Sequence, residues 1–285
     1  METSRLARPL SSRFVAGLAL ADAMRAARSL NQQGMSVSLD HLGENVTNLA
    51  EAQACRDVYL RALAEINSAE LDANVSLKLT QFGIDLSADE CHANSSAVVS
   101  IAAKFRSFVR IDMESSEYTD RTLAAVYHLF AETKSCGAVI QAYLRRSAAD
   151  IGELNRRGIR VRLCKGAYLE PDAVAFQDKK EVDDNFLALA RTLLAEGVYP
   201  AIATHDERMI AGTLAFVKER KIDPSQFEFQ MLYGVRRDLQ QRLIAEGWRV
   251  RIYVPFGEAW YPYFMRRLAE RPANVVFILQ ALMRG

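Results

Sequence analysis

The chain has 285 residues, 50% hydrophobic and 25% charged, with a formal net charge of +1. That balance is ordinary for a globular protein able to bury a large core, and it excludes the strong basic field of a nucleic-acid binder. Four widely spaced cysteines (Cys55, Cys91, Cys136 and Cys164) form no CxxC pair, which argues against a zinc knuckle and for a reducing, intracellular, cytoplasmic setting.

The run FVAGLALADAM near the N-terminus is interrupted by Asp22. It is far too short for a membrane span and reads as helix rather than signal peptide. A helix is expected over 14–33, with Phe14, Leu18, Ala21, Met24 and Arg28 at helical spacing. Strand one follows, with Met35, Val37 and Leu39 alternating. A second helix is read over 45–67 with Thr47 as its cap. The pattern then predicts strands over 75–79, 108–111, 139–143, 159–164, 201–204, 227–232 and 250–254. Helices are predicted over 88–104, 120–134 (with Gly137 as the stop), 148–156, 176–196, 207–220 and 237–246. The final stretch, YVPFGEAWYPYFMRRLAE over 253–270, breaks at Pro255 and Gly257 and then reads as a helix. Pro262 fits only its first turn, where a missing N–H costs little.

Eight strands buried on both faces, each followed by a helix, argue for a parallel sheet. Eight such units in this length fit a closed (β/α)8, TIM-like barrel. The doubly wound alternative fits less well, because the chain contains no GxG. No linker or composition step interrupts it, so one domain over 1–285 is expected, with a helical segment over about 1–33.

In such barrels polar residues at the carboxyl ends of the strands face the active site. The strand ends here carry Lys78, Asp112, Gln141, Arg162 and Lys165, Thr204 and His205, Gln230, and Tyr253. Taken singly, each has a bland reading: Lys78 as a solvated charge, Asp112 as a helix cap, Gln141 or Gln230 as a structural amide. Cys164 reads as a small core residue, and His41, His92 and His128 lack metal-ligand spacing. In the last helix Glu270 falls one turn from both Arg266 and Arg267, and two adjacent guanidiniums suit a carboxylate.

The segments VSLKLTQFG, VRIDMES, VIQAYL, VRLCKGAYLE, ATHDE, FEFQMLYG and YVPFGEAWYPYFMRRLAE resemble, in order, those of the proline dehydrogenase family. RLxKGAYxE followed by the tandem-arginine helix is the specific part. The resemblance implies a distorted (β/α)8 barrel with its last helix over the mouth and FAD held noncovalently. It implies oxidation of L-proline to 1-pyrroline-5-carboxylate by hydride transfer to flavin N5, with a quinone as electron acceptor and membrane contact limited to the surface. It assigns catalytic roles to Asp112 and Arg162, the latter near N5. Met113, Gln141, Arg162, Lys165, Gly166, Ala167, Thr204, His205 and Gln230 become cofactor contacts. Lys78, Tyr168, Tyr253, Arg266, Arg267 and Glu270 become substrate contacts, with Glu270 orienting the arginines and Tyr253 favouring proline over 4-hydroxyproline. DMESS departs slightly from the family's acidic segment after Glu114. Two other functions stay open on the residues alone: a Schiff-base aldolase or lyase using Lys78 or Lys165, and a non-catalytic barrel that binds a partner.

Overall fold

The computed structural model describes residues 13–269. Eight parallel strands close into a barrel in sequence order. They are β1 Ser36–His41, β2 Ala73–Leu77, β3 Val109–Ile111, β4 Cys136–Gln141, β5 Val161–Cys164, β6 Ala201–Ala203, β7 Glu228–Leu232 and β8 Val250–Phe256. Around them lie α1 Leu20–Gln32, α2 Leu49–Ser68, α3 Ala88–Lys104, α4 Thr119–Thr133, α5 Ser147–Arg156, α6 Lys179–Glu196, α7 Glu207–Arg220 and α8 Arg237–Ala245, and α9 Trp260–Ala269 follows β8. β1 pairs with β8 from Ser36↔Arg251 to His41↔Phe256, so the sheet has no open edge.

Strand periodicity sorts the side chains into two environments. Val37, Leu39, Val75, Leu77, Val109, Ile111, Val161, Leu163, Ile252 and Val254 are essentially inaccessible and belong to one apolar cluster with the helices. Each such side chain contributes roughly 1.5–3 kcal/mol by leaving water. The alternate positions face the bore and are polar: Ser38, Asp40, Ser76, Arg110, Arg162, Glu228, Gln230, Arg251 and Tyr253. Branched aliphatics usually fill such a bore. Here it is filled by hydrogen bonds, since a buried charge is tolerable only when paired.

The lower bore is largely closed by its own partners, although the buried Arg110 Nε has none among the described residues. Glu228 accepts from Arg251 Nε at 2.9 Å, Tyr199 Oη at 3.1 Å and Gln230 Nε2 at 2.5 Å. Arg110 Nη1 donates to the carbonyls of Arg160 at 2.7 Å and Ala138 at 3.1 Å. Gly137 makes room for this: a Cβ there would stand 2.9 Å from Arg110 Nη1 and 2.3 Å from the Arg160 carbonyl oxygen.

Several local expectations shift. Gly137 lies inside β4, and α4 ends instead at Lys134 in the left-handed region, φ 61°. Asn48, not Thr47, caps α2 by accepting Glu51 N–H, while the Thr47 N–H is bound by the Glu51 carboxylate. Pro255 does not break β8, because it stays paired opposite Asp40 and its carbonyl accepts the Ala16 N–H at 2.9 Å. That bond helps explain why α1 starts at Leu20: the preceding segment is drawn to the mouth, where Phe14 and Val15 pack with Leu42, Trp260 and Tyr263. Pro262 stands in the first turn of α9, as its missing N–H requires.

Candidate active site

A cavity of about 540 Å³ opens at the carboxyl ends of the strands. Its lining includes Lys78, Asp112, Met113, Gln141, Arg162, Lys165, Gly166, Ala167, Tyr168, Thr204, His205, Gln230 and Tyr253. Thirteen of the sixteen residues singled out from sequence are thus brought to one place. Arg266 and Arg267 lie on α9, whose Tyr263 also lines the cavity, but the structure does not describe their side chains. Glu270 lies outside the described residues.

The floor of the cavity is a connected set of charges. Arg162 Nη1 donates to Asp112 Oδ1 at 2.6 Å, its Nη2 to Ser76 Oγ at 2.9 Å and its Nε to Gln230 Oε1 at 2.5 Å. Tyr253 Oη donates to the other Asp112 oxygen at 2.7 Å, and the Arg162 guanidinium lies 5.2 Å from the Tyr253 ring centre. Lys78 Nζ sits 3.3 Å from Asp40 Oδ1, 3.7 Å from Glu44, 3.8 Å from Asp112 and 3.4 Å from Tyr253 Oη. Burial works against the Lys78 charge, but Asp40, Asp112 and Glu44 outweigh it and raise its pKa. Burial and the neighbouring Asp112 hold the Tyr253 phenol far above its ordinary range. Lys78 is therefore no solvated strand-end charge, and Asp112 binds cations rather than capping a helix.

The walls are more neutral. Gln230 has both ends of its amide engaged, accepting from Arg162 and donating to Glu228, so it aims the guanidinium. Gln141 Nε2 donates to the Glu114 carbonyl at 2.8 Å. His205 Nε2 accepts the Leu232 N–H at 2.8 Å, which leaves the proton of a neutral ring on Nδ1. Lys165 is shared by Asp183 and Asp206, the latter at 2.8 Å. Gly166 follows with φ +118°, and a Cβ there would lie 2.4 Å from the Tyr143 ring, so the KGAY turn needs glycine. Cys164 is half-buried and lines the cavity while also touching the core.

The sequence reading missed Asp40, which is fully buried against Lys78, and Ser76, which holds Arg162. The signal for Asp40 was present. Strand one runs into SLDHLGE, which carries two acids at its carboxyl end.

A Schiff-base amine must lose its proton to attack. Three carboxylates around Lys78 work against that. Fold and site together define a (β/α)8 enzyme whose buried charges converge on one small-molecule cavity at the mouth. A family model described as proline dehydrogenase matches residues 23–280. Proline dehydrogenase 1 of Bacillus subtilis (strain 168) is 42% identical over 272 residues, covering 95% of this chain and 90% of the relative. Proline dehydrogenase of Deinococcus radiodurans is 39% identical over 281 residues, covering 97% and 91%. This chain belongs to the proline dehydrogenase family and is an enzyme that oxidises proline. Among solved structures, proline utilization A from Bdellovibrio bacteriovorus, inactivated by N-propargylglycine, superposes with a TM-score of 0.85 at 26% identity over 92% of this chain. This chain spans 32% of that larger protein.

Proposed function

We propose that the chain holds FAD in the mouth cavity and oxidises L-proline to 1-pyrroline-5-carboxylate, with the electrons passing on to a quinone. The donor set fits that cofactor. Gln141, Thr204 and Arg162 offer hydrogen bonds and a fixed cation, Lys165 adds a second, and Met113, Val139, Ala203 and Met231 give apolar wall for a flat ring. When bound, the flavin supplies the hydride acceptor, at N5. The observation that carries the reading is the Arg162 guanidinium, buried in the cavity floor and fixed by Asp112, Ser76 and Gln230. A pre-aimed cation there stabilises negative charge as it develops, without reorganising.

In this reading Arg266 and Arg267 grip the proline carboxylate, steadied by Glu270. Lys78 adds positive charge to the cavity. Tyr168 packs against the substrate ring. Tyr253 narrows the pocket against 4-hydroxyproline, its ring tied in place between Asp112 and Lys78. Met113, Gly166, Ala167, His205 and Gln230 complete the cofactor's surroundings.

The quinone implies a cytoplasmic protein that meets a membrane at its surface. No described helix is long and apolar enough to cross one. Of the seven exposed large apolar side chains among the described residues, Leu18, Leu49, Leu86, Leu169, Val174 and Met265 belong to mouth-side segments, and only Val198 lies at the opposite end. An apolar rim on the face that releases electrons suits contact with a lipid surface. Anaerobic titration with L-proline tests the cofactor and the reaction together. Bleaching of the flavin absorbance is expected, and a colourless protein, or a yellow one unchanged by proline, would overturn the reading.

A further inference from the structure

We propose that Asp40 receives, through Lys78, the proton that the proline ammonium must lose before its hydride can leave. The inference rests on the FAD reading above. A secondary ammonium has no lone pair to drive hydride departure. One proton must go first; the hydride then leaves C5 with its electron pair, and the nitrogen lone pair closes the C=N bond of the iminium product.

Most cavity groups are unsuited to take that proton. Arg162 is a guanidinium, and Lys78 is already charged among carboxylates. Both Asp112 oxygens accept short bonds, from Arg162 at 2.6 Å and from Tyr253 at 2.7 Å. His205 Nε2 is occupied by the Leu232 N–H. Asp40 differs. It is wholly inaccessible, its Oδ1 is 3.3 Å from Lys78 Nζ, and its Oδ2 has no hydrogen-bond partner among the described residues. A buried carboxylate with a bare oxygen is the member of the set that gains most from a proton.

As the substrate's proton moves onto Lys78, Lys78 passes one of its own to Asp40 in the same step, so the Lys78 ammonium is never left neutral. The sum is ammonium plus Asp40 carboxylate giving amine plus Asp40 carboxylic acid, with Lys78 unchanged. Charge bookkeeping agrees: two cations, Lys78 and Arg162, face three carboxylates, Asp40, Glu44 and Asp112, so one added proton brings the cluster to neutrality. The groups facing Asp40 are Lys78 beyond β2, Asp112 beyond β3, Tyr253 on β8, Glu44 in the β1–α2 loop, and Cys55 and Tyr59 on α2. Burial pushes the Asp40 carboxyl up to about 6 against the pull of Lys78, so it is ionised and ready at neutral pH. Because Asp40 acts through Lys78, it is a positioning residue for the proton.

The test is stopped-flow flavin reduction by L-proline, run anaerobically across pH in the wild type and in Asp40→Asn. At pH 7 the variant is expected to be about 100-fold slower or more, the scale of a lost proton acceptor. That deficit should shrink as the pH rises toward the pKa of the substrate ammonium, where proline arrives already deprotonated. An equal rate at pH 7, or the same deficit at every pH as a packing defect would give, overturns the proposal. A second measurement stands even if the variant cannot hold flavin. With a pH indicator in wild-type single turnover at pH 7, proton release should trail flavin bleaching, and release coincident with bleaching overturns the proposal. Absence of bleaching in the wild type would instead overturn the underlying FAD reading, and this inference with it.

Discussion

The bottom and the top of the bore are built from the same chemistry and behave differently. At the bottom, Arg251 and Glu228 form a buried pair in which Glu228 takes bonds from Arg251, Tyr199 and Gln230. Burial raises the Glu228 carboxyl, but Arg251 and Gln230 more than compensate and hold it below its usual range. At the top, Arg162 and Asp112 form a shorter pair, 2.6 Å against 2.9 Å, yet beside them Asp40 keeps a bare oxygen and a carboxyl pushed up to about 6. A buried charge with every lone pair occupied is scaffold. One left short of partners is a place where protonation can change. Gln230 joins the two zones, one end of its amide in each.

The sharpest way to break this contrast is to damage the bottom alone. Arg251→Met should cost about 3–5 kcal/mol of stability by stranding Glu228, read from urea unfolding, while flavin reduction in the folded holoenzyme stays within a few-fold of wild type. A collapse in rate with little loss of stability would erase the distinction. The mirror experiment at the top is Arg162→Met, expected to slow flavin reduction by proline about 100- to 1000-fold; normal single-turnover kinetics would remove Arg162 from the chemistry. Next in size is Arg266→Met, which should raise the KM for proline roughly 10- to 100-fold with FAD still bound, the worth of one charge-assisted contact. An unchanged KM would defeat the carboxylate clamp.

The smallest effect concerns His41, outside the bore, with its ring 5.3 Å from that of Phe256. Burial lowers its pKa to about 4. The folded state then binds its proton less readily than the unfolded chain, so stability falls as pH drops from about 6.5 toward 4. Because the ring is partly exposed, about 1–2 kcal/mol is expected by pH 5. Asp40 has the opposite sign, since its raised carboxyl favours the fold as pH falls through about 6. His41→Gln should therefore flatten the acid side of the stability profile, and an unaltered slope would trace the acid sensitivity elsewhere.

Much of the site was legible because barrel logic converts sequence order into position. Lys78, Asp112, Arg162, Thr204 and Tyr253 each sit at or near a strand's carboxyl end, and closure turns such ends into one ring. Gly137 and Pro255 misled because their local habits, stopping a helix and breaking a strand, were overridden. The close approach of Arg110 and the Arg160 carbonyl requires glycine inside β4, and a proline carbonyl can still receive the Ala16 N–H. Asp40, Arg110, Glu228 and Arg251 were invisible as a network because each lies in an ordinary alternating strand.

By itself the amino-acid sequence determined the eight-fold strand and helix alternation, the family resemblance and the polar strand ends, because these depend on periodicity and local order. Only the tertiary structure decided which face of each strand became the bore and which charges met across it. Alternation separates an apolar from a polar set of positions, but both sets are buried, so the pattern alone does not say that the polar set fills a bore usually packed with branched aliphatics. The pairing of Lys78 with Asp40, or of Arg162 with Asp112, Ser76 and Gln230, exists only once strands far apart in the chain have closed into a ring.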